Sequence, residues 1–123
     1  MKLALAQINT QLGRPEDNLA KHLEYIRRAA EQEVDLLVFP ELSLTGYILQ
    51  DLAAAVACRP TAEDPIFAPL LKASRQLDLV VGFVEEDLRS RYYISAAYLS
   101  RGEVVHVHRK LYLPTYGLFD ELS

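Results

Sequence analysis

One apolar run, residues 34–39, constrains the fold of this chain more than any other segment. It is mostly aliphatic, it ends at Pro40, and it follows a segment with helical periodicity, as expected for a strand that is buried on both faces. A second apolar run, within residues 2–8, lies before the helical segment. The order strand, helix, strand predicts a βαβ unit, whose right-handed crossover makes the two strands parallel. Open α/β sheets bind ligands beyond the carboxyl ends of their strands, so function is expected in residues 40–47.

The helical segment begins near Pro15, a favoured first helical position, and shows one apolar stripe. Charged side chains occupy most of the remaining positions, so the helix is expected to pack through one face only. The stripe predicted to be buried comprises Leu19, Leu23, Ile26 and Ala30.

The rest of the chain predicts two further helices, at residues 50–58 and 65–77, with Thr61 as a candidate cap of the second. Strands are predicted at residues 79–84, 92–99 and 104–108, and the short connection at 100–103, which contains Gly102, favours an antiparallel hairpin. Beyond Lys110 the sequence loses its period, so residues 111–121 are expected to form a loop. The chain therefore has the order βαβααβββ within one α/β domain, residues 1–123. It ends at Ser123 without an element to cover the last strand edge, and we expect a second half.

Composition excludes several classes of protein. Half of the residues are hydrophobic, which is enough for a buried core, and the net charge of −4 includes no basic run that could follow a phosphate backbone. We therefore expect no nucleic-acid partner. Gln7 and Asn9 interrupt the N-terminal apolar stretch before it reaches the length of a signal or membrane segment. The single cysteine, Cys58, cannot form an internal disulfide, so a cytoplasmic location is expected.

Two charged residues are candidates for chemistry. Glu41 comes directly after the second strand, where a low dielectric would raise a carboxyl pKa and suit a general base; the alternative is a cap of the following turn. Lys110 ends a strand whose alternation places it on the same face as His106 and His108. Its ammonium could stabilise a developing oxyanion, and the alternative is a solvated lysine.

Structural roles are expected for the remaining candidates, two histidines that could bind a metal and one cysteine that could act as a nucleophile. His106 and His108 alternate along one strand, but no third ligand follows at a diagnostic spacing, so we expect hydrogen-bonded sheet histidines and no metal. Cys58 has no neighbouring base and ends an alanine-rich segment, which predicts a buried, inert thiol.

Several short strings occur in a fixed order along the chain, at residues 5–9, 39–42 with 45–47, 82–84, 98–99 with Gly102, and 108–110 through 116–121. Together they resemble those of the nitrilase superfamily, which includes amidases, nitrilases, carbamoylases and the glutaminase domains of synthetases. The resemblance covers nearly the whole chain, and within the superfamily it is greatest to the glutaminase domains of NAD synthetases and to related amidases. One departure is Ile94, which follows Tyr93 where many relatives have asparagine.

The resemblance implies an α-β-β-α sandwich, of which this chain is the N-terminal half, and a Glu-Lys-Cys triad that hydrolyses carbon–nitrogen bonds. Glu41 would be the base and Lys110 the oxyanion stabiliser, while Glu121, Tyr47 and Tyr116 would contact a small amide, nitrile or carbamoyl substrate. The family's cysteine follows the lysine, and no cysteine follows Lys110 here, so the isolated chain is expected to be inactive. Homo-oligomerisation is implied, and no cofactor is expected. A non-catalytic α/β module that binds a partner through its sheet edge is the alternative.

Overall fold

A mixed sheet of five strands forms the centre of the computed structural model, which describes residues 1–8, 15–46 and 53–114. The strands lie side by side in chain order, with the first three parallel and the last two antiparallel to their neighbours. Leu3 lies opposite Leu36, so the predicted parallel pairing is confirmed, as is the order βαβααβββ. The elements are β1 (Leu3–Leu5), α1 (Pro15–Glu31), β2 (Leu36–Val38), α2 (Ala53–Val56), α3 (Phe67–Ala73), β3 (Asp78–Glu86), β4 (Tyr92–Ser100) and β5 (Glu103–Leu113).

The main core lies between one face of the sheet and the helices α1 and α3, and we call this face the helix-covered face. The rings of Phe67 in α3 and Phe83 in β3 meet edge to face with their centroids 4.8 Å apart. Both residues are fully buried, so this aromatic contact contributes packing beyond simple removal of apolar area from water. The strand residues of the helix-covered face include Leu37, Leu79, Val81, Phe83, Ala97 and Leu99.

The opposite face of the sheet, which we call the open face, is less covered in the described residues. Its outer strands expose large apolar side chains: Leu3 is 57% exposed, Leu5 is 73% exposed and Leu111 is 55% exposed. Among the described residues, a smaller core covers the end of this face nearest the carboxyl end of β2. That smaller cluster comprises Leu42, Ala53, Val56, Val84 and Leu113.

The buried face of α1 differs from the predicted stripe. Ile26 is buried as expected, but Leu19, Leu23 and Ala30 are only partly buried. Asn18 and His22, which the apolar stripe omitted, are fully buried instead. The helix is therefore rotated toward a line of residues spaced by three or four positions, namely Pro15, Asn18, His22, Ile26 and Ala29.

Two predicted helices are shorter in the described residues. The helix predicted at residues 50–58 is described only as α2, and Cys58 lies outside it, in a parallel bridge with Glu85. The helix predicted at 65–77 is α3, and the predicted cap Thr61 is wrong. Asp64 satisfies its first turn, since Asp64 Oδ1 accepts hydrogen bonds from the backbone nitrogens of Ile66, at 2.8 Å, and Phe67, at 3.1 Å.

The C-terminal hairpin is confirmed, and its second strand is longer than predicted. Arg101 and Gly102 have φ of 54° and 83°, so the turn between β4 and β5 has two residues in the left-handed region, as tight hairpin turns require. β5 continues to Leu113, so residues 111–113 belong to a strand and not to the expected loop, the rest of which lies outside the described residues apart from Pro114. Pairing with β4 holds this added length, because Tyr112 lies opposite Tyr93 and Leu113 opposite Tyr92.

Candidate active site at the carboxyl end of the second strand

Glu41 lies in the loop that follows β2, and the loop backbone lies directly on the sheet at Gly82. A Cβ added to Gly82 would be 2.5 Å from the backbone nitrogen of Leu42 and 2.8 Å from the carbonyl oxygen of Pro40. Leu42 itself has a positive φ of 51°. The absence of a side chain at position 82 therefore allows the chain to turn tightly over β3 and brings Glu41 above the open face.

A buried polar chain connects this loop to α1. The backbone nitrogen of Gly82 donates to Ser43 Oγ at 3.2 Å, and Ser43 Oγ lies 2.9 Å from His22 Nε2. His22 Nδ1 lies 2.6 Å from the carbonyl oxygen of Asn18, and Asn18 Nδ2 donates to the carbonyl oxygen of Leu44 at 2.8 Å. All of these side chains are buried, and each has a hydrogen-bond partner, as buried polar groups generally do.

The direction of the hydrogen bonds at His22 follows from the carbonyl oxygen of Asn18, which can only accept. The Asn18 carbonyl requires the proton of a neutral His22 to lie on Nδ1, which leaves Nε2 as the acceptor of the Ser43 hydroxyl. Burial lowers the pKa of His22 from 6.5 to about 4, with the Asn18 carbonyl partly offsetting it, so the neutral form predominates near neutral pH. The ring also stacks on Phe39 at a centroid distance of 4.2 Å.

Lys110 lies at a bulge in β5. Arg109 is opposite Ser95 and Leu111 is opposite the preceding residue, Ile94, so Lys110 is an extra residue on the β5 side. Sequence alternation did not predict this irregularity. The bulge separates the two basic side chains, because Arg109 reaches Glu85 whereas Lys110 reaches the loop after β2.

The two predicted catalytic residues meet across the open face. Lys110 Nζ lies 3.6 Å from Glu41 Oε2, which is within ion-pairing distance. Between the loop that bears Glu41 and the strand that bears Lys110, two small residues are paired, Gly82 of β3 and Ala96 of β4. The Glu41 side chain is 42% exposed and that of Lys110 is 40% exposed. The low-dielectric environment expected around Glu41 is thus absent from the described part of the chain.

A second ion pair holds the strand on the other side of the bulge. Arg109 Nε and Nη2 donate to Glu85 Oε1 and Oε2 at 3.0 and 2.9 Å, and Ser95 Oγ donates to Glu85 Oε1 at 2.8 Å. The Arg109 guanidinium also lies over the ring of Tyr93, at 4.3 Å from its centroid. This bidentate pairing fixes the backbone next to Lys110. The sequence alone did not identify Glu85 or Ser95 as partners of Arg109.

The other predicted residues lie outside this site. His106 and His108 are exposed on β5, and the described residues contain no group of three or more side chains suited to hold a metal ion. Cys58 is buried, as predicted, and burial, with smaller contributions from Asp64 and Glu16, raises the pKa of its thiol to about 12. The substrate-binding predictions, Glu121, Tyr47 and Tyr116, all fall outside the described residues. None of the helices in the described ranges is long and apolar enough to cross a membrane.

The described site therefore pairs a carboxylate with an ammonium beyond the second strand of an α/β sheet. Comparison with known proteins identifies the class: residues 2–121 match the carbon-nitrogen hydrolase family, and the chain belongs to that family. It is 38% identical over 123 residues to a glutamine-dependent NAD(+) synthetase of Thermotoga maritima and 35% identical over 122 residues to one of Acinetobacter baylyi. The match covers 98% of this chain but only 21% and 22% of these relatives, so the chain spans about a fifth of their length.

Solved structures agree with this assignment. An amidase from Nesterenkonia sp. superposes with a TM-score of 0.75 and 28% identity, over 95% of this chain and 44% of that one. A glutamine-dependent NAD+ synthetase from Acinetobacter baumannii, solved with ADP, superposes with a TM-score of 0.70 and 34% identity, over 98% of this chain and 22% of that one. The predicted superfamily and the α/β fold of this N-terminal part are therefore confirmed.

Proposed function

We propose that this chain supplies the base and the oxyanion-stabilising cation of a Glu-Lys-Cys triad that hydrolyses the amide bond of glutamine or of another small primary amide. The observation that carries the proposal is the 3.6 Å approach of Lys110 Nζ to Glu41 Oε2 at the carboxyl end of β2. Membership of the carbon-nitrogen hydrolase family supports the reaction class. The relatives named as glutamine-dependent support glutamine as the first substrate to test.

In the proposed mechanism Glu41 accepts the proton of a cysteine thiol, and the thiolate attacks the amide carbon. The carbonyl oxygen becomes an oxyanion, which the Lys110 ammonium stabilises while the tetrahedral intermediate exists. The carbon–nitrogen bond then breaks, and ammonia leaves with the proton that Glu41 had accepted. Water, deprotonated by the same carboxylate, attacks the resulting thioester and releases the acid and the thiol.

The nucleophile in this scheme comes from outside residues 1–123, because the cysteine of the superfamily follows the lysine and Cys58 precedes it. Cys58 also lies in the core with a thiol pKa raised to about 12, which is the opposite of an activated nucleophile. We therefore propose that the 123-residue chain alone releases no ammonia from glutamine, simple amides or nitriles.

The test is a chimera in which residues 1–123 replace the matching segment of the Thermotoga maritima NAD synthetase, with which the chain is 38% identical. The chimera should release ammonia from glutamine, and Glu41→Gln or Lys110→Met should each lower kcat by orders of magnitude, since each removes a group the thiol depends on. Glu63→Gln and Lys72→Met change exposed residues of the same types and should leave turnover intact. Full turnover in either active-site variant would refute the assignment.

The open face supports a second candidate function, a non-catalytic module that binds a partner through exposed apolar side chains such as Leu3 and Leu5. The coding sequence beyond Ser123 separates the two candidates. A cysteine followed by further βα units supports the hydrolase, whereas a stop codon directly after Ser123 supports the partner-binding module.

A further inference from the structure

The buried polar chain through Asn18, His22 and Ser43 ends beside Glu41, and this placement assigns it a role. We propose that these three are positioning residues: they hold the loop after β2 at the height above β3 at which the Glu41 carboxylate meets Lys110. None of them contacts the Lys110 side chain in the described hydrogen bonds, so they act through the backbone of the loop. The catalytic meaning of this position rests on the proposed function, but the position itself does not.

The position of Glu41 depends on such a support because the Glu41 side chain itself contributes little to the stability of the loop. The carboxylate is 42% exposed, and its ion pair with Lys110 is half solvated, so this pair stabilises the loop only weakly. The neighbouring loop residues, by contrast, are buried: Leu42 is 2% exposed, Ser43 1% and Leu44 0%. The loop is therefore fixed from its buried side, two residues away from the carboxylate.

Ser43 is the point at which three elements meet. Its hydroxyl oxygen accepts the Gly82 N–H of β3, and the hydroxyl donates to His22 of α1. The backbone nitrogen of Leu44 also donates to the carbonyl oxygen of Gly82, at 3.0 Å. Removing the hydroxyl leaves a backbone N–H and a ring nitrogen buried without these partners, which disfavours the present position of the loop.

A matched control exists at the opposite end of the sheet. Ser74 is 2% exposed, and its hydroxyl oxygen likewise accepts a glycine N–H, that of Gly102, at 2.9 Å. The Ser74 hydroxyl donates to the carbonyl oxygen of Leu71 at 2.6 Å. Ser43→Ala and Ser74→Ala thus remove chemically equivalent buried hydroxyls, only one of which lies beside Glu41.

The readout is the formation of an isopeptide bond between Glu41 and Lys110 by a water-soluble carbodiimide, measured by peptide mass spectrometry on the folded 123-residue chain. The reagent activates the carboxylate, and the lysine amine displaces it with loss of a substituted urea, so the yield reports how often the two groups meet. Each variant is measured well below its own unfolding midpoint, so that a general loss of stability does not lower the yield.

We expect Ser43→Ala to lower the Glu41–Lys110 cross-link several-fold relative to the wild-type chain, and Ser74→Ala to leave it unchanged. His22→Phe, which keeps the aromatic ring against Phe39 but removes both ring hydrogen bonds, should also lower it, and Ser43→Thr, which keeps the hydroxyl, should restore most of it. Wild-type yield in both Ser43→Ala and His22→Phe, or an equal loss in Ser74→Ala, would overturn the positioning role. Because the cross-link needs no turnover, failure here is distinct from failure of the proposed hydrolysis.

Discussion

The backbone nitrogen of Leu42 would lie 2.5 Å from a Cβ at Gly82, so the backbones of these two residues are packed directly against each other. The neighbouring atoms on the loop side are also backbone, which cannot rotate away as a flexible side chain can. Gly82→Ala should therefore push the loop off β3 and destabilise the fold by about 1–3 kcal/mol, as over-packing of a core does. Urea denaturation measures the free energy of unfolding, and the carbodiimide cross-link between Glu41 and Lys110 should fall in parallel.

Gly102→Ala is the control for this substitution. Its positive φ of 83° makes alanine strained, but the nearest neighbour is the flexible side chain of Arg75 at the far end of the sheet. The chain should lose some stability, with the cross-link unaffected. A Gly82→Ala chain that keeps wild-type stability and cross-link yield would show that the loop does not need this close approach.

Stability should rise with pH between about 4 and 6.5, because of His22. Its pKa is lowered from 6.5 to about 4 in the folded chain, mainly by burial, so across this window the unfolded chain binds a proton that the folded chain does not. The contribution is complete above pH 6.5, where it is worth roughly 3 kcal/mol, and it is lost as the pH falls toward 4. Denaturant midpoints measured across this range give the slope.

The comparison chain for the pH experiment is His22→Phe, which has no proton to bind and should show a flatter dependence in the same window. Asp78, whose pKa is lowered by the hydroxyl donors of Ser100 and Tyr98, contributes mainly below 3.8 and does not interfere. Equal slopes in the two chains would mean that another group causes the dependence.

Cys58 should resist alkylation in the folded chain. Its thiol pKa is raised from 9.0 to about 12, mainly by burial, which lowers the thiolate fraction by roughly a thousandfold at mildly alkaline pH. Iodoacetamide labelling followed by mass spectrometry should be slow in buffer and fast in denaturant. In the chimera, Cys58→Ala should leave turnover nearly unchanged, whereas turnover by the isolated chain that disappears on labelling Cys58 would make this thiol the nucleophile.

Asp64, rather than Thr61, should carry the capping energy of α3. Asp64→Ala removes the acceptor of the Ile66 and Phe67 backbone nitrogens and should cost about 0.5–2 kcal/mol of stability. Thr61→Ala changes an exposed residue and should stay within about 0.5 kcal/mol of the wild type. Thermal and urea midpoints of the two variants decide between them, and a larger loss in Thr61→Ala would restore the cap that the sequence indicated.

The sequence predicted the elements whose signal is local. The apolar run at residues 34–39, the helix before it and the glycine-containing connection at 100–103 each carry their own period or turn chemistry, and each is confirmed. These inferences need no knowledge of how distant strands align. The approach of Glu41 to Lys110 was also predicted, from the family resemblance, although Lys110 lies within β5 and not at its end.

The sequence could not predict features that depend on tertiary packing. Alternation in β5 gives no sign that Lys110 is an extra residue, since a bulge is defined by the partner strand. Asn18 and His22 have polar side chains, so an apolar stripe omits them, although their spacing from Ile26 by eight and four residues places them on its face. The sequence signal that could have identified these buried residues was that spacing, combined with Ser43, two residues after Glu41.

Because of the bulge in β5, the order of the adjacent residues Arg109 and Lys110 decides which carboxylate each of them contacts. Arg109 binds Glu85, whereas Lys110 reaches Glu41, so neighbours with the same charge meet different carboxylates. Exchanging the two would conserve length, composition and net charge, yet it would give the guanidinium to the candidate site and leave the buried carboxylate with a single-point donor. A sequence-similarity score that treats arginine and lysine as equivalent would hardly change on this exchange, although the cation at the candidate site would be different.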